Sequence, residues 1–228
     1  MWVTYGLIVI YCKINTEDGN MIYIVGIGPG NRNYITIEAL NTVKNSEVVI
    51  GSKRALKNFE INGEVIELTK NLKLELYNFL KEHLKTGNKK NVSILSTGDP
   101  CFSGLLKTVL DFDFIKKEDI EVISGISSIQ YAASKLKISS EDYRILTLHG
   151  KEENLKKLLE CVKNKEKVIF LPNNIKRELG YLINNGVSKD ITATILENLS
   201  YDNEKIVTGP ICNLINENYS YLLVCVIN

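Results

Sequence analysis

The sequence predicts an α/β protein made of two unlike α/β domains with a ligand cleft between them. Short apolar runs of strand length alternate along the chain with helical patterns of apolar residues. Several of these runs end in turns that contain glycine, and a polar segment at 138–142 interrupts the alternation once before it starts afresh. Continuous apolar runs are typical of buried parallel strands, and a cleft between domains is a common ligand site.

The first half reads as a parallel sheet with its connecting helices. The predicted strands cover 21–26, 47–50, 65–68, 92–95 and 120–123. Helical spacing predicts one helix capped by Thr36, a second over 72–84, a third directly after the turn at 98–100 and a fourth that ends near 136. We expect Pro100 at the first position of the third helix, where a fixed φ is tolerated.

The second half repeats the alternation with a different ending. Its predicted strands cover 144–148, 168–171, 192–196, 204–209 and 221–227, with helices over 155–162 and 177–185. A hairpin between the last two strands would make this half partly antiparallel. We therefore expect one domain over 21–139 and another over 140–228. Residues 1–20 are expected to form an N-terminal extension outside the fold, because a polar linker precedes the strand that begins at Met21.

Composition excludes several classes of partner. The 28 Lys and Arg residues balance 27 Asp and Glu, so no net charge favours nucleic acid or a membrane surface. The apolar run at 2–12 is too short to span a bilayer, which needs about 20 apolar residues. The five cysteines are scattered, with no C-x-x-C and no histidine at metal-ligand spacing. We expect reduced thiols, no bound metal and a cytoplasmic location.

Three turns at predicted strand ends carry the candidate chemistry. The glycines at 26–30 indicate a tight turn beside a ligand or another strand, but Asn31 occupies the place of the third glycine of G-x-G-x-x-G, which weakens a nicotinamide interpretation. At the second turn, Gly98 permits close approach of a backbone, and Asp99 either binds an amine or hydroxyl or caps the next helix. In the third turn, Ser127 and Ser128 offer hydroxyls to a polar ligand, or one of them caps a helix.

Together the motifs at 25–30, 95–100 and 124–128 resemble the tetrapyrrole methylase family, and the resemblance extends over 21–228. It implies two unlike α/β domains, a homodimer and S-adenosyl-L-methionine bound in the cleft. The turn from Asp99 to Phe102 would hold the methionine part, the two serines would bind its carboxylate or the ribose, and Leu171 would contact the adenine. The implied cofactor-binding residues are Pro29, Gly98, Asp99, Phe102, Ser127, Ser128 and Leu171.

Three further stretches, at 49–54, 147–151 and 197–204, are similar to the branch of the family that methylates C5 of cobalt-precorrin-7. The implied substrate is a corrinoid precursor with many carboxylates. Methylation and decarboxylation at C15 would then belong to a separate protein. The candidate substrate-binding cations at predicted strand ends are Arg32, Lys53, Arg54 and Lys151.

The implied chemistry needs no covalent catalysis, so no catalytic residue is assigned. His149 is a candidate proton acceptor, but a lone histidine at a strand end is more often structural. The competing functions are diphthine synthase, a ribosomal RNA methylase, a noncatalytic binder of corrinoid intermediates and a nicotinamide-dependent enzyme. The balanced charge disfavours the RNA enzyme.

Overall fold

A computed structural model describes residues 21–87 and 89–228, so the predicted extension at 1–20 lies outside the described residues. The predicted α/β class is confirmed, because the described chain forms two five-stranded sheets with helices packed against them. Within these residues no helix is both long enough and apolar enough to cross a membrane.

The first sheet contains five parallel strands in the order β3-β2-β4-β1-β5. The buried positions of the three central strands are mainly valine and isoleucine, as expected for parallel strands that are covered on both faces. All five lie at the predicted positions, within one or two residues at each end. The strands are β1 (Ile22–Gly26), β2 (Val48–Ser52), β3 (Glu64–Leu68), β4 (Val92–Ser96) and β5 (Ile120–Ile123).

The second sheet is mixed, with the order β6-β7-β10-β8-β9. Only β6 and β7 are parallel, while β10 runs antiparallel to both of its neighbours. The predicted hairpin between the last two strands is wrong, because β9 pairs with β8 and β10 lies between β7 and β8. The strands are β6 (Arg144–Thr147), β7 (Val168–Leu171), β8 (Thr192–Glu197), β9 (Lys205–Pro210) and β10 (Leu223–Ile227).

Four of the eight helices in the described residues begin at a residue whose side chain accepts a hydrogen bond from a free N–H group of the first turn. The Oγ1 of Thr36 accepts a hydrogen bond from the N–H of Ala39, as predicted, and Ser127 forms a capping box with Gln130. The helices are α1 (Ile37–Lys44), α2 (Lys53–Leu56), α3 (Leu72–Lys85), α4 (Leu105–Leu110), α5 (Ser128–Leu136), α6 (Glu153–Lys163), α7 (Ile175–Asn184) and α8 (Ile211–Leu214).

The start of α4 corrects one prediction. Pro100 is not the first helical residue and Asp99 does not cap the helix, because α4 begins at Leu105 with Gly104 at the N-cap. The intervening residues form a turn in which Ser103 has a φ of 56°, in the left-handed region. A right-handed helix cannot run through such a residue, so helical hydrogen bonding starts only after it.

Helix α5 joins the two sheets. Its buried residues Ile129, Tyr131 and Ala132 form one hydrophobic cluster with side chains of the second sheet and the loop after β8. Those partners are Ile169, Leu171, Leu196, Leu199, Val224 and Val226. The edge of the first sheet that carries the three glycine turns therefore lies beside the second sheet.

Candidate functional site

The turns after β1 and β4 are joined by their backbones. Gly98 N donates to the carbonyl of Gly28 at 2.8 Å, and Gly28 N donates to the carbonyl of Gly98 at 3.3 Å. Gly28 has a φ of 74° and Gly98 a φ of 72°, which glycine adopts without steric cost. Both glycines thus build the turn itself, and they bring two strand ends into direct contact.

The turn after β5 packs against the same place. A Cβ added to Gly26 would lie 2.5 Å from the backbone nitrogen of Gly125, so no side chain fits between these turns. Because β4, β1 and β5 are neighbouring parallel strands, their carboxyl ends meet at one edge of the sheet. The three motifs of the sequence thus form one continuous surface.

Asp99 connects the second and third of these turns. Its Oδ1 accepts a hydrogen bond from Cys101 N at 2.8 Å, and its Oδ2 accepts one from Gly125 N at 3.0 Å. Hydrogen bonds from N–H groups to a carboxylate are stronger than those to a neutral acceptor. Burial, together with the Asp99 charge, raises the pKa of the Cys101 thiol, so that thiol stays protonated at neutral pH.

A cavity of about 370 Å³ lies between this edge and the second sheet. This volume is within the range of about 300–1,000 Å³ that small-molecule sites usually have. The structure brings all seven of the predicted cofactor-binding residues to its wall. The lining residues are Pro29, Arg54, Thr97, Gly98, Asp99, Phe102, Ser103, Ser127, Ser128, His149, Leu171, Asn173, Leu199 and Tyr221 to Val224.

The cavity is lined by both polar and apolar side chains. The first-sheet turns provide Asp99, Ser127 and Ser128, whereas Leu171 and Val224 are buried side chains of the second sheet. The Oγ of Ser127 already accepts a hydrogen bond from Gln130 N at 3.2 Å. Ser128 makes no side-chain hydrogen bond within the described residues, which leaves its hydroxyl available to a ligand.

The four predicted substrate cations are not all at this cavity. Arg54 is in its wall, but Arg32 lies 3.9 Å from Glu60 in an exposed ion pair, and Lys53 is exposed on α2. Lys151 lines a separate small cavity next to α7. His149 lines the main cavity and is exposed. A strand-end position in the sequence does not fix the direction of a long side chain, and this explains the divergence.

The residues from 21 to 215 match the family model for tetrapyrrole (corrin/porphyrin) methylases. The chain belongs to the tetrapyrrole methylases. It is 60% identical, over 90% of its length and 97% of the relative's, to a protein from Methanocaldococcus jannaschii named as a probable cobalt-precorrin-7 C(5)-methyltransferase. This family is the one that the motifs at 25–30, 95–100 and 124–128 resemble, and these motifs form the three turns that meet at the cavity.

Solved tetrapyrrole methylases have the same fold. The chain matches the cobalamin biosynthesis precorrin-6Y methylase from Archaeoglobus fulgidus with a TM-score of 0.70 at 24% identity, over 92% of this chain and 98% of that one. It also matches the uroporphyrin-III C-methyltransferase from Thermus thermophilus, solved with S-adenosylhomocysteine, with a TM-score of 0.69 at 18% identity, over 91% and 92% of the two chains.

Tetrapyrrole methylases use S-adenosylmethionine as methyl donor, and the lining of this cavity fits that molecule. The apolar side chains of Leu171 and Leu199 suit a planar adenine. The turns of the first sheet offer the Ser128 hydroxyl to a polar group and the Asp99 carboxylate to a positively charged group. The lining thus offers both apolar and polar groups to S-adenosylmethionine.

Sequence reasoning missed part of this tetrapyrrole methylase site. Ser103 lines the cavity, and its Oγ lies 2.9 Å from Thr147 Oγ1, so the first-sheet turn and β6 are hydrogen-bonded. The segment from Tyr221 to Val224 also lines it, although it was predicted only as strand. Leu199 also lines it. This residue lies within the stretch at 197–204 that carried the resemblance, so the sequence contained a signal for its place in the site.

Proposed function

We propose that this tetrapyrrole methylase transfers the methyl group of S-adenosylmethionine to C5 of cobalt-precorrin-7 in cobalamin biosynthesis. The observation that carries the substrate assignment is the 60% identity to the M. jannaschii protein of that name, which covers 97% of the relative. The similarity of the stretches at 49–54, 147–151 and 197–204 supports the same branch.

The cavity wall supports specific roles for the cofactor-binding residues. The turn from Asp99 to Phe102 holds the methionine part, with Pro29 and Gly98 forming the backbone floor beside it. Ser128 binds the carboxylate or the ribose, and Ser127 fixes the start of α5 so that this hydroxyl stays in place. On the opposite wall Leu171 contacts the adenine.

When bound, the cofactor supplies a methyl group that a sulfonium has already activated, and the ring carbon of the substrate is the nucleophile. The protein therefore has to align the two and exclude water, and no side chain has to form a covalent bond. Arg54 binds a substrate carboxylate at the cavity wall. Arg32, Lys53 and Lys151, which lie outside that wall, are candidates for more distant carboxylates.

His149 is a candidate acceptor for the proton that C5 methylation can release. Its exposed position in the cavity wall supports contact with a bound ring. Replacement by Asn tests this role. A catalytic His149 predicts a lower kcat with an altered pH profile, whereas a structural one predicts a lower Tm with unchanged kcat.

The proposal extends to organisation in the cell. We assign a cytoplasmic homodimer, with the domain boundary at residues 139 and 140. The two sheets support that boundary, because one takes its strands from 22–123 and the other from 144–227. Methylation and decarboxylation at C15 are assigned to a separate protein, because the matched relative is named for C5 alone. Sedimentation equilibrium of the purified chain tests the dimer.

The function is tested in two steps with the full chain. Calorimetric titration with S-adenosylhomocysteine, with NADH as control, tests the cofactor, and we expect micromolar binding of the first compound alone. Incubation with cobalt-precorrin-7 and S-adenosylmethionine should then add one methyl group by mass, placed at C5 by NMR. Tight binding of the ring without turnover would refute the enzyme in favour of a noncatalytic binder. Turnover only on a protein or ribosomal RNA would favour the diphthine synthase or RNA methylase alternatives.

A further inference from the structure

Arg54 is a cation that forms no ion pair with a carboxylate of the described residues. Its Nη1 donates to the hydroxyl of Tyr201 at 2.9 Å, and its Nη2 donates to Oγ1 of Thr97 at 3.1 Å. Within the described residues, no Asp or Glu oxygen lies within 4.0 Å of its guanidinium. Two neutral acceptors thus hold the Arg54 guanidinium in place and leave three of its five N–H donors for an anion.

Tyr201 reaches Arg54 from the second half of the chain. A Cβ added to Gly30 would lie 2.3 Å from Cε2 of Tyr201, so the ring packs directly on the backbone of the first turn. The guanidinium carbon of Arg54 lies 5.9 Å from the centroid of the same ring, within reach of a cation–π interaction. The ring thus contacts the turn after β1 and the helix after β2 at once.

The loop that carries Tyr201 is fixed at several points. Asn31 N donates to the Oγ of Ser200 at 2.8 Å, and Ser200 N donates to Oε2 of Glu204 at 2.7 Å. Ser200 has a φ of 69°, a left-handed conformation that a serine adopts only when its surroundings impose it. Loops that hold a non-glycine residue in this region often serve a functional site.

An ion pair completes the anchor of the loop. Lys135 on α5 lies 2.9 Å from Oε1 of Glu204. Burial opposes ionisation of this carboxyl, but the hydrogen bonds from Lys135 and Ser200 N prevail and lower its pKa. Burial, with the neighbouring Glu204, also raises the pKa of Tyr131 to about 12. The loop is therefore held on α5 by a charged Glu204 at neutral pH.

We propose that Tyr201 is a positioning residue for substrate recognition, which aims the guanidinium of Arg54 at a peripheral carboxylate of the corrinoid ring. This inference rests on the proposed function, because it needs a polycarboxylate substrate. Tyr201 is not in the wall of the cavity, so it acts through Arg54. The Tyr201 hydroxyl fixes the direction of the Arg54 guanidinium. Because this hydroxyl is neutral, it does not neutralise the positive charge that binds the substrate carboxylate.

The test is a double-mutant cycle between Tyr201→Phe and Arg54→Gln in the full chain. The phenylalanine keeps the ring on Gly30 and removes only the acceptor. We expect the KM and the dissociation constant for cobalt-precorrin-7 to rise about three- to tenfold in Tyr201→Phe, as for one lost hydrogen bond. The kcat, the Tm and the affinity for S-adenosylhomocysteine should not change. In the Arg54→Gln background, Tyr201→Phe should have no further effect.

Two matched controls accompany the cycle. Tyr77→Phe removes a hydroxyl that also accepts from a cation, Lys81 Nζ at 3.1 Å, but on α3 away from the cavity, and it should change nothing. Gly30→Ala displaces the Tyr201 ring and should raise the KM for cobalt-precorrin-7. Gly209→Ala places its methyl group in open space and should leave this KM unchanged.

Specific results overturn the inference. The inference is wrong if Tyr201→Phe binds cobalt-precorrin-7 as tightly as the unsubstituted protein. It is also wrong if the increase in dissociation constant in the double variant equals the product of the increases in the two single variants, because the two residues would then act independently. A drop in Tm together with weaker S-adenosylhomocysteine binding would make Tyr201 merely structural. Methylation at a carbon other than C5 would refute only the proposed methylation site. The role of Tyr201 would still be decided by comparing the dissociation constants of the variants for the corrinoid ring. An original protein that binds no ring refutes both proposals.

Discussion

The α-carbon of Gly125 faces the carbonyl oxygen of Gly98 so closely that a Cβ at position 125 would lie 2.3 Å from that oxygen. The same Cβ would lie 2.7 Å from the carbonyl carbon of Gly26. Backbone atoms of three turns are therefore in contact, and none of these atoms can move away as a flexible side chain would. The cavity wall that includes Asp99 and Ser127 depends on this contact.

Gly125→Ala should consequently lower both stability and cofactor affinity. The methyl group forces the turns after β1, β4 and β5 apart, and overpacking of this kind costs about 1–3 kcal/mol. For a chain of this size we expect a Tm lower by several degrees. Differential scanning calorimetry with and without S-adenosylhomocysteine measures both effects.

Gly209→Ala is the matched control for this change. A Cβ at Gly209 meets nothing within 4 Å, so the Tm and the affinity should stay at their original values. An unchanged Tm in Gly125→Ala would contradict the argument, because it would mean that the turns can separate freely.

Asp99 is the subject of the second prediction. Since its carboxylate accepts from Cys101 N and Gly125 N, Asp99→Ala leaves two N–H groups without their partner. We expect unfolding to cost about 1–3 kcal/mol less and S-adenosylhomocysteine to bind at least tenfold more weakly. Asp99→Asn keeps one acceptor oxygen and should lose less stability. Urea unfolding and calorimetric titration of both variants provide the measurements.

The two variants separate the roles of Asp99. If its charge attracts the cofactor, Asp99→Asn weakens binding almost as much as Asp99→Ala while it loses less stability. If the carboxylate only joins the turns, affinity follows stability through both variants. Full affinity in Asp99→Ala would remove Asp99 from the cofactor site.

The turns of the first sheet could be predicted from sequence because their physics is local. A glycine-containing turn after an apolar run marks the end of a buried strand, and neighbouring parallel strands bring such ends to one edge. This is why Gly98, Asp99 and Ser127 could each be located at a strand end from the sequence, whereas a shared cofactor site was implied only by the resemblance. The resemblance added Phe102 and Leu171, whose own positions carry no such signal.

The second sheet was harder to predict because its pairing is not local. Apolar alternation located β9 and β10 but not their neighbours, since several pairings satisfy the same pattern. Their order follows from the loop after β8, which Ser200 and Glu204 fix on the first half, and from the packing of β10 against α5. The place of Tyr221 in the cavity wall follows from that order and could not be foreseen.

Glu178 on α7 gives the third prediction. It is 3% exposed, its Oε1 accepts from Asn173 N at 2.8 Å and from Asn174 N at 3.0 Å, and its Oε2 is buried without a hydrogen-bond partner among the described residues. Burial raises the pKa of this carboxyl above its usual value, although the two N–H groups oppose the shift. The folded state therefore binds a proton that the unfolded state binds only at lower pH.

The sign of the pH effect follows from that difference. As pH falls from 7 through the raised pKa to the unfolded value near 4.5, protonation of Glu178 adds stability to the folded protein. Glu178→Gln has no such proton to gain, so the free energy of unfolding of the original chain should rise relative to the variant as the pH falls. Urea unfolding at pH 7 and pH 5 measures the difference, with Glu153→Gln on the exposed side of α6 as a control for removing a surface carboxylate. A difference between Glu178→Gln and the original chain that stays constant, or moves in favour of the variant at pH 5, would show that Glu178 is charged in the fold at both pH values.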